Sequence, residues 1–457
     1  MNESMGYAPA RRVTVRVAAN LRRAEWLALA LCSFGLVGVF ALGVWLGYTE
    51  VDVWGAFFVP TVLLVLTVPV LSKIRWLREL ELVGIASLAL AAKFIVCYLR
   101  YLVEFHVYSG GDSILYHNGG SRIAEAFLEG RRDLLSLVPS NVGTDFIVEV
   151  NGFVALLSGR SLLASSMIFS WLSYVGILSF IAAVKNASGL ERIRTYSVGL
   201  LFLPTLLFWT AALGKDAWMI LGIGTFALGT VKLSEGSPAG LFLGAFGGYA
   251  TATVRPHVTA LLLVSLVFVF FGRWNRRSAL GALFSIILLG ALAGFVSASG
   301  SDLLPGFEAG LSEVLFNTSD RTTIGGSTIE VRGPNSVANY PVALFSVLFR
   351  PFIFEINSLL QFLAALEGTL LLVLLFRNWA RIRGLLKRSL FLPYIRFSLI
   401  FVLGFGFAWS HVGNLGIIAR QRAQVAPFLL AILLLSSSDI ASSTANFADE
   451  DKVRQNR

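Results

Sequence analysis

Long apolar stretches recur along the chain and are separated by short polar segments rich in lysine and arginine. Stretches such as residues 27–46, 53–71 and 162–184 approach or exceed the roughly 20 residues that a helix needs to cross a bilayer core. Open strands cannot satisfy their backbone polar groups in lipid, so these stretches are predicted to be helices. The pattern predicts an all-α, polytopic transmembrane helix bundle of about twelve spans, near residues 27–47, 53–71, 81–99, 161–184, 196–213, 217–231, 239–254, 258–272, 278–298, 358–376, 390–410 and 424–437.

The composition supports this prediction. Hydrophobic residues make up 56% of the 457 positions and charged residues only 14%, which excludes an ordinary soluble domain. The net charge of +10 is carried mainly by short loops between spans, so it sets topology and does not indicate a nucleic-acid partner. The two cysteines, Cys32 and Cys97, both fall inside predicted spans and indicate neither a disulfide framework nor a metal cluster.

The distribution of positive charge predicts the orientation, because short loops rich in Lys and Arg stay in the cytoplasm. We divide the chain into a basic cytoplasmic N-terminus at residues 1–26, a multi-pass membrane domain at 27–437 and a disordered cytoplasmic tail at 438–457. The first span is too long for a signal-peptide core and is interpreted as a retained anchor. The loops assigned to the cytoplasm contain Lys73, Arg75 and Arg78; Lys185, Arg192 and Arg194; Arg273, Arg276 and Arg277; and Arg377, Arg381, Arg383, Lys387 and Arg388.

Two external segments, about 100–159 and 299–357, are long enough to hold a site and are expected to contain loop helices. In the first, Asp112 follows two glycines and precedes an amphipathic helix at 120–130, where a carboxylate could meet a substrate entering from the bilayer. Asp112 is therefore the candidate catalytic base. The alternative is that Asp112 caps a helix starting near Ser113, and the two roles are compatible. In the second segment, the apolar stretch 340–354 is interrupted by Arg350 and Pro351 and predicts an interfacial or re-entrant helix.

Basic residues also lie at predicted external ends of spans, where positive charge is unusual. Such groups at the bilayer edge suggest an anionic ligand, and a lipid-linked phosphate is the obvious candidate at that depth. The alternative is that each cation reaches lipid headgroups or pairs with a nearby acid such as Glu355. The residues concerned are Lys215, beside Asp216, and Arg255, Arg350, Arg420 and Arg422.

Three weaker features concern other ionisable residues. His106, Asp112 and His117 could be drawn as metal ligands, but their spacing matches no established metal motif, so neither a metal nor a cofactor is predicted. Glu367 lies within a predicted span, and a structural role between helices is favoured over proton coupling. Lys93, also within a span, either extends toward the headgroups or partners a buried acid.

Several short motifs resemble one family. Residues 108–117 (YSGGDSILYH), followed by a small-residue helix ending in Gly130, resemble the first external loop of GT-C membrane glycosyltransferases, which use polyprenyl-phosphate-linked sugars. Residues 203–216 (LPTLLFWTAALGKD) are similar to a segment of bacterial surface-polysaccharide enzymes in which a Pro-aromatic helix ends in a Lys-Asp or Lys-Glu pair. Arg255-Pro256 resembles the Arg-Pro that closes a later helix there. Residues 414–422 (NLGIIARQR), with Pro427 beyond them, resemble the Arg-x-Arg element of oligosaccharide repeat-unit polymerases.

This resemblance implies transfer of a sugar or oligosaccharide from a polyprenyl-(pyro)phosphate carrier to a saccharide or lipid acceptor, at the external face of a bacterial cytoplasmic membrane. Asp112 would deprotonate the acceptor, and Tyr116, His117, Lys215, Asp216 and the outward arginines would bind substrate, since guanidinium groups hold phosphate in bidentate fashion. The main alternative is a secondary transporter or a flippase for lipid-linked oligosaccharide, although no inverted repeat is visible. In a third interpretation, a non-enzymatic assembly factor, the external charges are dispensable.

Overall fold

The computed structural model describes residues 50–106, 110–131, 143–188, 193–270, 337–388 and 392–435, together with single positions between 38 and 41 and between 283 and 290. The described residues form helices and no strands, which confirms the all-α prediction. The α-helices are α1 Glu50–Lys73, α2 Arg75–Glu79, α3 Val83–His106, α4 Asp112–Leu128, α5 Thr144–Ser158, α6 Leu162–Ala187, α7 Ile193–Leu201, α8 Pro204–Phe208, α9 Lys215–Ser234, α10 Ala239–Ala252, α11 Pro256–Phe270, α12 Tyr340–Phe349, α13 Leu359–Arg377, α14 Trp379–Arg388, α15 Pro393–Trp409 and α16 Leu415–Leu434.

Six of the described helices are long and apolar enough to cross a membrane: α1 from Trp54 onward, α3, α6, α9, α13 and α16. Helices α10, α11, α12 and α15 are shorter but equally apolar. The chain is therefore a membrane protein, as its hydropathy predicts. The predicted spans at 27–47 and 278–298, the N-terminus 1–26 and the tail 438–457 lie outside the described residues, apart from single positions, so the total of about twelve spans stays a prediction.

The predicted span near residues 196–213 is not one continuous helix. Helix α7 ends at Leu201, α8 begins at Pro204, and residues 209–214 form turns and bends. Proline has no backbone N–H and disfavours helical conformation in the residue before it; Leu203 is accordingly extended, with φ −64° and ψ 122°. The single-helix prediction was wrong because it followed the apolar composition and ignored the proline.

Two buried ionisable side chains hold the ends of the short helix α8. The Glu367 carboxylate of α13 accepts hydrogen bonds from the N–H of Thr205, at 2.7 Å, and from its hydroxyl. The Lys93 ammonium of α3 donates to the carbonyl oxygen of Leu206 at 2.9 Å and to the hydroxyl of Thr210 at 2.7 Å. Glu367 thus has the helix-joining contacts favoured from the sequence, whereas Lys93 neither reaches the headgroups nor pairs with an acid. Both charges are hydrogen-bonded, as burial in a membrane requires.

Helix α9 packs closely against its neighbours through glycines. A Cβ added at Gly176 of α6 would lie 2.3 Å from the carbonyl oxygen of Ile220, and one added at Gly224 would lie 2.2 Å from the carbonyl oxygen of Gly176. Small residues let helix backbones approach in membranes, where packing rather than water exclusion holds helices together. Helix α9 is therefore a firm support for the two charged residues at its start, Lys215 and Asp216.

The described parts of the segment predicted to be external, about 100–159, are mostly helical. Helix α3 extends to His106, beyond its predicted end at residue 99, and α4 includes most of the amphipathic helix predicted at 120–130. Helices α4 and α5 pack against each other, and the side-chain amide of Asn151 donates to the carbonyl oxygen of Tyr116 at 3.1 Å. This helix pair places the start of α4 beside the end of α3.

The second external segment is described only from residue 337 onward. A 3₁₀ turn, Val337–Asn339, leads into α12, which ends at Phe349, directly before Arg350 and Pro351. The short helix predicted in the 340–354 stretch is therefore present. It packs against α13 and α15, so this part of the segment is attached to the bundle.

Candidate functional site

A cavity of about 380 Å³ opens where α3, α4, α9 and α16 meet the non-helical segment after α8. Phe208 and Trp209 form an aromatic wall on one side. The other walls bring together charged and polar side chains that are far apart in sequence. These are Arg100 and Glu104 of α3, Asp112, Ser113 and Tyr116 of α4, Asp216 of α9 and Arg420 of α16. Carboxylates and guanidinium groups in one space of this size indicate a polar, charged ligand.

The two glycines before α4 let its start approach the end of α3. A Cβ on Gly111 would lie 1.9 Å from Oε1 of Glu104, so no larger residue fits without moving that carboxylate. Gly110 has φ +141°, and its N–H donates to the carbonyl oxygen of Glu104 at 3.0 Å. The hydroxyl of Ser113 donates to Oε1 of Glu104. The glycines thus fix the first turn of α4 over the cavity.

Asp112 is the first residue of α4, and its carboxylate is largely exposed at the edge of the cavity. Gly111 occupies the N-cap position, and no side-chain capping hydrogen bond is present, so the alternative that Asp112 caps the helix is wrong. The Asp112 side chain is 62% exposed, and its Oδ2 lies 3.6 Å from Nη1 of Arg420. A solvated carboxylate beside a guanidinium group is available both to accept a proton and to be oriented by the cation.

Asp216 is the buried centre of the charged cluster. Its Oδ1 accepts a hydrogen bond from Nη2 of Arg255 at 2.9 Å, and its Oδ2 accepts one from Nε of Arg420. Such charge-assisted bonds are roughly twice as strong as neutral ones and orient both guanidinium groups. Arg420 thereby connects two carboxylates, with Nε toward Asp216 and Nη1 toward Asp112. Of the residues expected from the sequence to belong to one site, the structure brings Asp112, Asp216, Arg255 and Arg420 together.

Positive charge exceeds what the nearby carboxylates neutralise. Lys215 interacts electrostatically with Arg255 and Arg420, which repel it, and with Asp112 and Asp216, which attract it. It also lies in the first turn of α9, where the helix dipole disfavours a cation. Nη1 of Arg255 is buried and has no hydrogen-bond partner among the described residues. Neither Lys215 nor Arg255 lines the cavity, so an anion bound there would contact Arg420 directly and would attract the other two cations only over a longer distance.

Arg100 and Glu104 line the cavity but were missed from the sequence. Nη1 of Arg100 donates to the carbonyl oxygens of Phe208, at 3.0 Å, and of Trp209, and the guanidinium carbon lies 5.7 Å from both ring centroids. Arg100 therefore positions the aromatic wall. The available signal was their spacing: residues four apart share a helix face, once α3 is known to extend past residue 99.

Tyr116 and His117 differ in their relation to the cavity. Tyr116 lines it, and burial, helped by the charge of Asp112, raises the pKa of its hydroxyl to about 12, so it stays a neutral donor at physiological pH. His117 is not part of the lining; its Nε2 lies 3.5 Å from Oγ of Ser121, and burial lowers its pKa. No group of three or more His, Cys, Asp or Glu with metal-site geometry occurs in the described part of the chain.

Arg350 is not part of this cluster. Its Nε lies 2.9 and 3.1 Å from the two carboxylate oxygens of Glu355, and a second bond joins Nη2 to Oε1. Burial alone would raise the pKa of Glu355, but hydrogen bonds from Arg350 and from the N–H of Phe352 outweigh it and lower that pKa. Arg350 therefore pairs with Glu355, which was the alternative expected from the sequence.

Arg422 also lies away from the cavity, although it is only two residues from Arg420. Successive helical residues are about 100° apart, so these two side chains leave α16 in nearly opposite directions. Arg422 is fully buried; Nη2 donates to the carbonyl oxygen of Arg350, and Nη1 lies 3.4 Å from that of Ala364. Its contacts join α16 to α13 and to the end of α12, and they do not support the predicted role in substrate binding.

Comparisons of this chain with protein-family models, with curated proteins and with solved structures gave no match.

Proposed function

We propose that this protein is a membrane glycosyltransferase or polysaccharide polymerase that transfers a sugar or oligosaccharide from a polyprenyl-(pyro)phosphate carrier to a saccharide or lipid acceptor. One observation carries the proposal: Arg420 lies between the exposed carboxylate of Asp112 and the buried carboxylate of Asp216, at the wall of a charged cavity. A cation that could bind a phosphate and an exposed carboxylate that could accept a hydroxyl proton thus lie side by side.

In the proposed reaction, the acceptor hydroxyl oxygen attacks the anomeric carbon of the donor and forms the new glycosidic bond. The bond from that carbon to the phosphate oxygen breaks, and the phosphate leaves with the electron pair. Asp112 takes the hydroxyl proton as general base. Arg420, oriented by Asp216, stabilises the charge that grows on the departing phosphate, and Arg255 and Lys215 add positive charge outside the cavity lining. Tyr116 contributes a neutral hydroxyl at the cavity wall.

The proposal includes a location and a family. The likeness of the short motifs to GT-C glycosyltransferases and repeat-unit polymerases supports the assignment, as does the grouping of Asp112, Asp216, Arg255 and Arg420. We place the cavity at the external face of a bacterial cytoplasmic membrane, with both termini inside, because of the Lys and Arg distribution. The six long helices, α10, α11, α15, the broken α7–α8 pair and two predicted spans outside the described residues together support about twelve crossings.

The second candidate function is a secondary transporter or flippase for lipid-linked oligosaccharide. The observation in its favour is the broken α7–α8 helix, whose unwound continuation at residues 209–214 lines the cavity. Discontinuous helices at a binding site are typical of transporters. In that case Arg420 and Arg255 would hold a headgroup during movement, and no bond would break.

The deciding experiment uses purified protein in liposomes with a radiolabelled polyprenyl-phosphate sugar and a saccharide acceptor. The enzyme hypothesis expects a new glycosidic product that depends on Asp112. The transporter hypothesis expects intact carrier to change leaflet with no product, even when acceptor is present. Neither product nor translocation, with the carrier still bound, would favour the assembly-factor interpretation.

A further inference from the structure

Helix α14 carries one buried and one exposed face. Ile382 and Leu385, three residues apart on one side, are 3% and 0% exposed, and the helix packs against α13 and α16. Arg383 and Lys387, four residues apart, are exposed. Helix α14 is therefore an amphipathic helix whose apolar side is already occupied by the protein itself. Its basic side is left facing outward.

Three basic residues at and near α14, Arg377, Arg383 and Lys387, have no acidic partner among the described residues. The sequence contains no Asp or Glu between Glu367 and Asp439. This contrasts with the other exposed basic helix, α2, in which an acid is present within the helix and forms an i,i+4 ion pair. The positive charge around α14 is thus available to an external anion.

The position of α14 identifies the anion. Leu360 and Ala364, in the first turns of α13, lie against the aromatic wall of the cavity, and the 19 residues of α13 then extend about 28 Å to Arg377. Helix α14 therefore lies at the membrane face opposite the cavity. Trp379, 48% exposed, lies there with the guanidinium carbon of Arg383 5.9 Å from its ring centroid. Exposed Trp next to Arg is typical of the headgroup layer of a bilayer.

We infer that α14 is a docking surface for anionic phospholipid headgroups, with Arg377, Arg383 and Lys387 binding lipid phosphates and Trp379 lying in the headgroup layer. This surface is independent of the cavity and of the proposed transfer reaction. From the usual contribution of a basic residue near an anionic membrane surface, three such residues correspond to about a hundredfold preference for anionic over zwitterionic lipid.

The test measures hydrogen exchange of the α14 backbone amides in the full-length protein, reconstituted in nanodiscs of phosphatidylcholine alone or mixed with phosphatidylglycerol. We expect exchange to slow by about tenfold or more in the anionic discs, and by less at high salt, since salt screens the attraction. The variant carrying Arg377→Gln, Arg383→Gln and Lys387→Gln should lose this difference.

The matched control is Arg75→Gln with Arg78→Gln, which removes exposed positive charge from α2 and should leave the lipid dependence of α14 unchanged. Equal exchange in the two lipid compositions, or a difference that survives in the triple variant, would overturn the inference. If the triple variant does not fold, the salt dependence of exchange in the wild-type protein is the test. A lipid effect on exchange that does not change with salt is not electrostatic and would also overturn the inference.

Discussion

Replacing Asp216 by Asn is the most direct perturbation of the charged cluster. The substitution keeps the shape of the side chain and removes its negative charge. Asp216 is 3% exposed and holds Arg255 and Arg420 through one carboxylate oxygen each. In the variant, two guanidinium groups and the ammonium of Lys215 would face one another without their buried counterion.

The expected loss in the free energy of unfolding follows from the burial of these ion pairs. Breaking a buried ion pair by removing one partner costs about 3–5 kcal/mol, because the remaining charge is left uncompensated. The side chain of Arg255 is 12% exposed and that of Arg420 is 28% exposed, so water screens part of the loss. We therefore expect the free energy of unfolding to fall by about 3 kcal/mol, the lower end of that range. A phosphate bound in the cavity would replace the lost anion and restore much of this stability.

The assay is thermal unfolding of the purified protein in detergent, with and without a polyprenyl phosphate. Asp216→Asn should unfold at a lower temperature than wild type without ligand, and it should gain more from the ligand than wild type does. Glu129→Gln, at an exposed position, is the charge-matched control and should change neither quantity. If Asp216→Asn unfolds at the same temperature as wild type, Asp216 does not stabilise the protein through its two arginines. If polyprenyl phosphate stabilises the variant and the wild type equally, those cations do not bind the phosphate.

Three further substitutions test the site in the liposome assay. Asp112→Asn should leave folding and membrane insertion intact and lower transfer by about two to four orders of magnitude; full activity would exclude Asp112 as the base. Arg420→Lys keeps the positive charge but loses the paired N–H donors of the guanidinium group, so carrier binding should be nearly normal while turnover falls about a hundredfold. A parallel loss of carrier binding and transport would favour the transporter. Gly111→Ala should displace the Glu104 carboxylate from the start of α4 and lower transfer, whereas Gly384→Ala, whose added Cβ meets nothing within 4 Å, should have no effect.

Hydropathy predicted most of the described helices because lipid imposes a simple length rule on apolar segments. Helices α1, α3, α6 and α9 all overlap their predicted spans. The errors have local causes. Pro204 divides a stretch whose composition alone indicates one span. Helix α3 continues through Arg100 and Glu104 because both side chains line the polar cavity, so their charges do not end the helix.

The sequence predicted only some of the residues that form the site. An outward position on several helices correctly grouped Asp112 with Lys215, Arg255 and Arg420, because helix ends at one membrane face must lie in one layer. It could not separate Arg350, whose side chain binds an acid five residues away, or Arg422, whose side chain binds backbone carbonyl oxygens outside the cavity. Whether a charged residue faces the cavity depends on which helices pack against its own helix, and the sequence of one helix does not contain this information.

Two sets of charged groups in the described part of the chain differ in how fully the protein itself surrounds them, and this difference is an argument for a ligand. Glu367 and Lys93 are each 1% exposed and bind backbone and hydroxyl groups of α8, so their charge is used to hold one helix. Arg420 and Asp112, by contrast, line the cavity with side chains that are 28% and 62% exposed. Burying charge near a membrane is costly, and a fold gains nothing from leaving such groups half satisfied. The opening of the Arg420 guanidinium group to the cavity is explained if an anion binds there, and a phosphate-bearing substrate would supply one.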